Sequence, residues 1–461
     1  MVLKKIARVI LIVLCCLLGI LTIGLVVTVA PIDRQIDRLA LTAQMNSDID
    51  ALSGPVDRSG QLMVGYSKVN ITPDHKTSTA GYGKRMGKQF TEVHDSIFVR
   101  TLVIKKGEDE VAIVSADLLI IPPEVTLLLE ETLPDIGFDI SKTYLGAIHT
   151  HNSIGNWQKG AMALMYGQYD EDLVKFLTHQ IRTSIEKARA GILASTIKTG
   201  MIPVKNAVSN RIRSDGPVDT LLRCIEISRV DSSKLLMMNF TAHATCLFSS
   251  DLELSRDYPG QLVDLMEDRG YDFAMFMAGA VGSHKGKVKE QGWPCIDELA
   301  GMISDAFIKG KDSLKTDPEN TVWINRVPLI LTDPQMKISE SWRIRPWLFE
   351  ALLGDYPEYL TVLRLGDLVM IGTPCDYSGE FYPTLDSLAS SRNVRVMITC
   401  FNGGYIGYVT PTKYYDREHY ETQLMNWYGP GNAEYLEACI EHLLIKASDI
   451  PLAGERAPIK N

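Results

Sequence analysis

The first 30 residues carry the clearest pattern in the chain. Lys4, Lys5 and Arg8 precede an uncharged apolar stretch from Val9 to Ala30. A helix needs roughly 20 such residues to cross a bilayer, whereas the apolar part of a cleaved signal peptide, the alternative, has only ~7–15. We therefore expect residues 1–30 to be a cytoplasmic tip and an uncleaved, single-pass transmembrane helix. The basic flank predicts that the rest of the chain is extracytoplasmic, in a periplasm or outside the cell.

Residues 31–62 are expected to form a stalk between this helix and a folded domain. Ile36, Leu39 and Leu41 alternate with charged residues in the spacing of a short amphipathic helix, which Gly54-Pro55 would end. The folded domain is expected to cover residues 63–461.

Strand-like and helix-like patterns alternate through that domain. Val99–Ile104 and Val111–Val114 are apolar runs on either side of a charged turn, as in a hairpin. Apolar residues from Leu173 to Ala188 recur at helical spacing, and Pro259–Glu267 indicates a second helix followed by an apolar strand at Phe273–Met277. The mixture predicts an α/β protein with mixed α+β layers, formed as one large domain.

Composition excludes some functions. The chain has 461 residues with a formal net charge of −9, which argues against a nucleic-acid partner because phosphate binding requires a basic surface. No protein partner is predicted. The eight cysteines contain no C-x-x-C pair, which argues against a thiolate zinc site. Disulfides would form in an oxidising compartment, but the spacing of the cysteines does not pair them.

Three of the nine histidines stand at the ends of apolar runs. His149 and His151 follow Tyr144–Ile148, and residues two apart in a strand share a face. Both imidazoles can therefore converge on one ion, or on one ion and its substrate. His243 follows the apolar run 235–242. Sites in α/β proteins form at such strand ends; the alternative for His243 is a core histidine bonded to the backbone.

Taken in order, several segments resemble the catalytic domain of the neutral (non-lysosomal) ceramidases, from residue 63 to about residue 445. The family's T-H-T-H-S segment corresponds to Ile148–Asn152, and its P-G-E-F segment to Pro374–Tyr377. The most specific match is to the run Y-x-G-Y-V-T…Y…H-Y-E…Y-G-P. It is carried here by Tyr405–Thr410, Tyr415, His419-Tyr420-Glu421 and Tyr428-Gly429-Pro430. Other matching segments are residues 206–214, His243-Ala244-Thr245 and Ser255-Arg256-Asp257.

The resemblance implies a zinc-dependent amidohydrolase. Such an enzyme would cleave the N-acyl linkage of a ceramide-like lipid into a fatty acid and a free amine. Carried over by position, the metal ligands would be His149, His243, Asp376 and Tyr408. The residues facing the scissile amide would be His151, Arg211 and Tyr420. His151 would then serve as general acid and base because the ordinary pKa of histidine is near neutrality.

Two departures from the family pattern bear on this assignment. The family has Glu where this chain has Asp376, which is one methylene shorter, and Glu380 is the alternative carboxylate. The family's G-D-V-S-P-N loop is replaced by residues 282–287, Gly-Ser-His-Lys-Gly-Lys, which bears more on the substrate than on the metal. Two other functions stay open: a zinc hydrolase of the same scaffold acting on a different amide or an ester, and a non-catalytic binding module.

Overall fold

The computed structural model describes residues 2–55, 60–316 and 321–450. Ten α-helices lie within these ranges. In chain order they are α1 (Val2–Thr28), α2 (Leu39–Asp50), α3 (Pro123–Thr132), α4 (Ala163–Tyr166), α5 (Glu171–Ala190), α6 (Asp257–Asp268), α7 (Trp293–Gly310), α8 (Pro346–Leu353), α9 (Tyr382–Ser391) and α10 (Asn432–Ser448).

Nineteen β-strands alternate with these helices in the same described ranges. They are β1 (Val29–Pro31), β2 (Met63–Asn70), β3 (Phe98–Lys106), β4 (Asp109–Ala116), β5 (Thr143–Ala147), β6 (Leu193–Pro203), β7 (Val208–Asn210), β8 (Leu221–Arg229), β9 (Lys234–Phe240), β10 (Phe273–Ala278), β11 (His284–Gly286), β12 (Lys315–Thr316), β13 (Val322–Pro328), β14 (Trp342–Ile344), β15 (Tyr359–Leu365), β16 (Leu368–Thr373), β17 (Asp376–Tyr377), β18 (Arg395–Cys400) and β19 (Tyr408–Val409).

Two large sheets form the centre of the domain. The first has nine strands in the order β10-β9-β8-β6-β2-β3-β4-β5, with β12 paired to β6. Its inner pairs are antiparallel, while β9–β10 and β4–β5 are parallel. The second sheet has the order β13-β15-β16-β18. Three further two-stranded pairs are β1–β14, β7–β11 and β17–β19.

The core follows from the two-residue period of the strands. In β3, Leu102 and Ile104 pack in a cluster with residues of the four-stranded sheet, whereas Val99 and Val103 pack in the cluster that includes helix α5. Alternate residues therefore face the opposite sheet or the outer helices. A third cluster covers the other end of the large sheet and includes residues of α6 and α7. The prediction of one large domain of mixed α and β layers is confirmed.

The predicted local elements also occur. The hairpin around residues 106–109 is β3–β4, the helix over 173–188 is α5, and α6 is followed by the strand β10. A further hairpin, in the second sheet, is β15–β16.

The segment predicted as a stalk lies against the domain. β1 pairs with β14 directly after α1 ends. Met45 and Ile49 of α2 are fully buried in the main core cluster, which also contains residues of α10. The division of the chain at residues 30 and 62 stays a prediction. Residues 451–461, the predicted end of the domain, lie outside the described residues.

Candidate metal centre

The two ends of the large sheet bring the histidine segments together. β4 and β10 approach each other, since the hydroxyl of Ser115 donates a hydrogen bond of 2.5 Å to the carbonyl of Phe276. His149 lies two residues beyond the end of β5, and His243 lies three residues beyond the end of β9. Because β5 runs beside β4 and β9 runs beside β10, the two histidines reach the same place from opposite ends of the sheet.

The three histidines converge through their Nε2 atoms. Nε2 of His149 lies 2.9 Å from Nε2 of His243, and Nε2 of His151 lies 2.9 Å from Nε2 of His243. The third distance, between His149 and His151, is 3.3 Å. These residues form the only group of three or more metal-ligating side chains found among the described residues.

The tautomer of His149 is fixed by the backbone. Its Nδ1 lies 2.7 Å from the carbonyl oxygen of Leu119, which can only accept, so Nδ1 carries the proton. Nε2 therefore presents a lone pair towards the other two histidines. The ring is stacked on Phe401, with centroids 3.9 Å apart. Both residues have positive φ, 64° and 67°, which is strained for side chains of this size and is common at functional sites.

His243 has two neighbours at Nδ1. Nη1 of Arg211 lies 3.2 Å away and can only donate, and the carbonyl of Val281 lies 3.5 Å away and can only accept. With Arg211 as partner, the proton of His243 is on Nε2 and points at the other imidazoles. With Val281 as partner, Nε2 is free to bind a metal. Metal binding therefore selects the second tautomer.

Burial keeps all three imidazoles neutral. It lowers the pKa of His149 to about 3, and it lowers the pKa values of His151 and His243 well below the ordinary value. Imidazoles with lowered pKa values retain a free lone pair at neutral pH, which a metal ion requires.

A carboxylate completes the cluster. Asp376 begins β17, which pairs with β19 so that Asp376 lies opposite Tyr408. Its Oδ1 lies 3.5 Å from Nε2 of His149, is buried, and has no hydrogen-bond partner among the described residues. Oδ2 accepts a hydrogen bond of 2.7 Å from the hydroxyl of Tyr405. Burial raises the pKa of Asp376 to about 7, although the bond from Tyr405 opposes the shift.

The other predicted site residues lie beside Asp376. Arg211 forms an ion pair of 2.5 Å with the buried carboxylate of Glu421 and lies over the ring of Tyr408 at 5.9 Å. The rings of Tyr408 and Tyr420 meet edge to face, 5.9 Å apart. Tyr420 is half exposed, at 54%, so it lies where the cluster meets solvent.

The alternative carboxylate, Glu380, is engaged elsewhere. Its Oε1 accepts a hydrogen bond from Asn210, and its Oε2 accepts one from Tyr414 and pairs with Lys413. The structure thus places Asp376, and not Glu380, against the imidazoles. In the altered loop, His284 is buried and accepts a hydrogen bond of 3.0 Å from the backbone N–H of Asp219.

The donor set fits zinc. Ligand nitrogens about 2.0–2.1 Å from a tetrahedral zinc ion lie roughly 3.3 Å from one another, close to the 2.9–3.3 Å between the Nε2 atoms here. Oδ1 of Asp376, which has no hydrogen-bond partner among the described residues, lies 3.5 Å from Nε2 of His149 and offers a further donor. His151 lies as near to the centre as the predicted ligands do, so its separate role as a catalyst stays a prediction.

Several supporting residues were not identified from the sequence. Buried Arg85 donates to the carbonyl of His151 at 2.6 Å and to the side chain of Asn152 at 2.8 Å, which fixes the turn that carries His151. Gly81 lies so close that an added Cβ would be 2.4 Å from the Cα of His151. Tyr405 belongs to the matched run Tyr405–Thr410 and Phe401 precedes it, but no local pattern in the sequence assigns either residue a partner.

Comparison with solved structures identifies the fold. A crystal structure of neutral ceramidase from Pseudomonas aeruginosa superposes with a TM-score of 0.71, at 17% sequence identity, covering 87% of this chain and 76% of that chain. The chain has the neutral ceramidase fold. A structure described as ceramidase complexed with C2 superposes with a TM-score of 0.69, at 16% identity, covering 87% of this chain and 77% of that one. No protein-family model and no curated protein matches the sequence.

The resemblance seen in the sequence is confirmed by this ceramidase fold. At such low identity, the likeness establishes the arrangement of the chain and not its chemistry.

Proposed function

We propose that this chain is a ceramidase-like, zinc-dependent amidohydrolase that cleaves the N-acyl linkage of a ceramide-like lipid. One observation carries the proposal: three neutral imidazoles converge in a ceramidase fold, and a carboxylate oxygen without a hydrogen-bond partner among the described residues lies 3.5 Å from one of them. Such a buried group of nitrogen and oxygen donors is expensive to leave without a cation, because buried polar atoms normally have partners.

The ligands proposed are His149, His243, Asp376 and Tyr408. His149 and His243 are supported by the 2.9 Å between their Nε2 atoms, and Asp376 is supported by the 3.5 Å between its Oδ1 and Nε2 of His149. Tyr408 is supported by its position opposite Asp376 on β19. A zinc ion held there supplies a Lewis acid that acidifies water and polarises a carbonyl group.

The remaining polar residues have separate roles in the proposal. Nε2 of His151 accepts a proton from water and returns it to the leaving amine. The hydroxyl of Tyr420 donates a hydrogen bond to the oxyanion that develops at the amide carbon. Arg211, held by Glu421, presents its remaining N–H groups to a polar substrate head.

The proposed lipid substrate agrees with a proposed location of the domain at a membrane. The solved neighbours are ceramidases by description, and helix α1 offers a 25-residue span, Lys4–Thr28, without any buried residue in its most apolar window. We propose that this helix is a single-pass anchor and that the domain is extracytoplasmic. A disulfide between Cys246 and Cys295 supports that side of the membrane, because disulfides persist in oxidising compartments.

The test combines metal analysis with a hydrolysis panel. Full-length protein in detergent should contain about one zinc ion per chain and release fatty acid from N-acyl lipids. His149→Ala and His243→Ala should each remove metal and activity. His179→Ala, on the exposed face of α5, is the control and should change neither.

The alternative functions are outcomes of the same panel. Turnover of soluble amides or esters without turnover of lipid amides would identify a hydrolase of different specificity. Bound zinc without any turnover would identify a binding module. Full zinc occupancy in a His149→Ala/His243→Ala double variant would refute the site.

A further inference from the structure

The end of helix α1 is fixed to the surface of the domain. β1 follows the helix without a linker and pairs with β14, so that Pro31 lies opposite Trp342. The side chain of Arg345 donates to the carbonyl of Val26, and the indole N–H of Trp347 donates to the carbonyl of Val27, both at 3.0 Å. These are carbonyls of the last helical turn, which have no partner within a helix.

Exposed apolar side chains surround this junction. Ile338, Trp342 and Trp347 are 54%, 49% and 48% exposed, and we name these three residues the junction patch. They belong to the turn 338–341, strand β14 and the start of α8. Arg343 and Arg345 lie between them in the chain. Tryptophan and arginine are the side chains that place an apolar body beside acyl chains and a polar end among headgroups.

The length of the span sets the depth of the patch. At ~1.5 Å per residue, the 25 residues Lys4–Thr28 extend roughly 37 Å, which is more than the ~30 Å hydrocarbon core. The last turn of the helix therefore lies at the boundary between acyl chains and headgroups. Trp347 and Arg345 are bonded to carbonyls of that turn, so they share its depth.

We infer that the junction patch inserts into the outer leaflet around the anchor and holds the domain at one fixed orientation on the bilayer. The occupant of the patch is the lipid surface that α1 itself crosses, and the inference rests on the membrane anchor of the proposed function. The helix and the patch form one continuous surface, because strand pairing and side-chain bonds join them.

The patch also lies close to the metal centre. Phe349, on the helix α8 that begins in the patch, packs edge to face on Trp427 at 5.5 Å. Trp427 packs in the same way on Tyr405 at 5.2 Å, and Tyr405 bonds to Asp376. The rings of Phe349 and Trp427 thus lie between helix α8 and Tyr405. Tyr405 in turn is hydrogen-bonded to Asp376, the proposed metal ligand. A domain seated in this way keeps its site near the headgroups, where a lipid amide is exposed.

Depth-dependent quenching tests the inference with the full-length chain in lipid vesicles. In a background with Cys15 and Cys16 replaced by Ser, a single fluorophore is attached at Ile338→Cys or Trp342→Cys. The other free cysteines, at positions 224, 375, 400 and 439, are buried. Val230→Cys, 69% exposed in the turn between β8 and β9, is the matched control. Lipids with a nitroxide at the headgroup should quench the two patch positions several-fold more than position 230.

A fluorophore attached only at native Cys16 distinguishes failure of the membrane anchor from failure of the fixed orientation. If Cys16 is quenched by deep nitroxides while positions 338 and 342 match position 230, the anchor stands and the fixed orientation is wrong. If Cys16 is not quenched, the anchor is wrong and the orientation fails with it. Neither reading depends on hydrolysis.

A kinetic comparison gives a second readout. Trp342→Ser should lower the rate on vesicle-borne substrate several-fold and leave the rate on a soluble short-chain amide unchanged, with Val230→Ser as control. Equal loss on both substrates would show a structural defect and contradict the inference.

Discussion

The hydroxyl of Tyr405 donates a hydrogen bond of 2.7 Å to Oδ2 of Asp376, inside a site where the second carboxylate oxygen faces His149 at 3.5 Å. This bond stabilises the ionised carboxylate. Burial has the opposite and larger effect, and it raises the pKa of Asp376 to about 7. A metal ion binds only the ionised form, so metal affinity should fall as the pH falls through about 7.

Replacing Tyr405 by Phe should raise the pKa of Asp376 further. A hydrogen bond to a charged group contributes about 1.5–3 kcal/mol, which corresponds to roughly one to two pH units. The pH midpoint of zinc binding, measured by titration across a pH series, should move up by that amount. Tyr377→Phe is the control, because the hydroxyl of Tyr377 is buried and has no hydrogen-bond partner within the described part of the chain. An unchanged midpoint in Tyr405→Phe would remove Asp376 from the ligand set.

His151→Ala should separate ligand from catalyst. If His151 transfers protons, the variant keeps its zinc and loses turnover by about 10²–10⁴-fold. Metal content and kcat are measured on the same preparation, with exposed His94→Ala as control. Loss of zinc would instead make His151 a ligand, in keeping with its 2.9 Å distance from His243.

Tyr420→Phe should slow turnover by roughly 10²–10³-fold if its hydroxyl supports the oxyanion. The ring is retained, so its edge-to-face contact with Tyr408 should persist and KM should change little. Tyr415→Phe, whose buried hydroxyl has no partner among the described residues, should keep full activity. A KM effect without a kcat effect would assign Tyr420 to substrate binding alone.

The disulfide gives a test of compartment. Cys246 and Cys295 join the segment after His243 to helix α7. Alkylation of denatured, membrane-extracted protein should spare both until a reductant is added, and replacing both by Ser should lower the free energy of unfolding by about 2–4 kcal/mol. Cys16→Ser should leave it unchanged. Alkylation of Cys246 and Cys295 without reduction would place the domain in a reducing compartment.

Arg38, ten residues after helix α1 ends, holds the segment that follows Tyr420. Arg38 donates to the carbonyls of Pro430 at 2.7 Å and Tyr428 at 2.9 Å from a half-buried position. Arg38→Gln should cost about 2 kcal/mol in urea unfolding. Arg34→Gln, which breaks an exposed pair with Asp416, should cost less than about 1 kcal/mol. Equal effects would show that burial does not distinguish the two arginines.

Local periodicity was sufficient to predict many elements of the fold. The two-residue period of β3 and β4 and the helical spacing of α5 are each contained in one segment, and each side chain's environment follows from its neighbours in that segment. The sequence also placed His149, His151 and His243 at the ends of apolar runs, because a strand that enters a site stops being apolar where solvent or a ligand begins.

What the sequence by itself determined is therefore local: the apolar N-terminal helix, the strands and helices of the domain, and the residue types able to bind a metal. Only the tertiary structure decided which of them meet. His149 and His243 are joined by the closing edges of the sheet, Asp376 is selected over Glu380 by the β17–β19 pair, and Cys246 finds Cys295 rather than another thiol. The physical reason is that hydrophobic periodicity reports the environment of one segment, whereas these contacts form between segments far apart in the chain and depend on how whole layers pack.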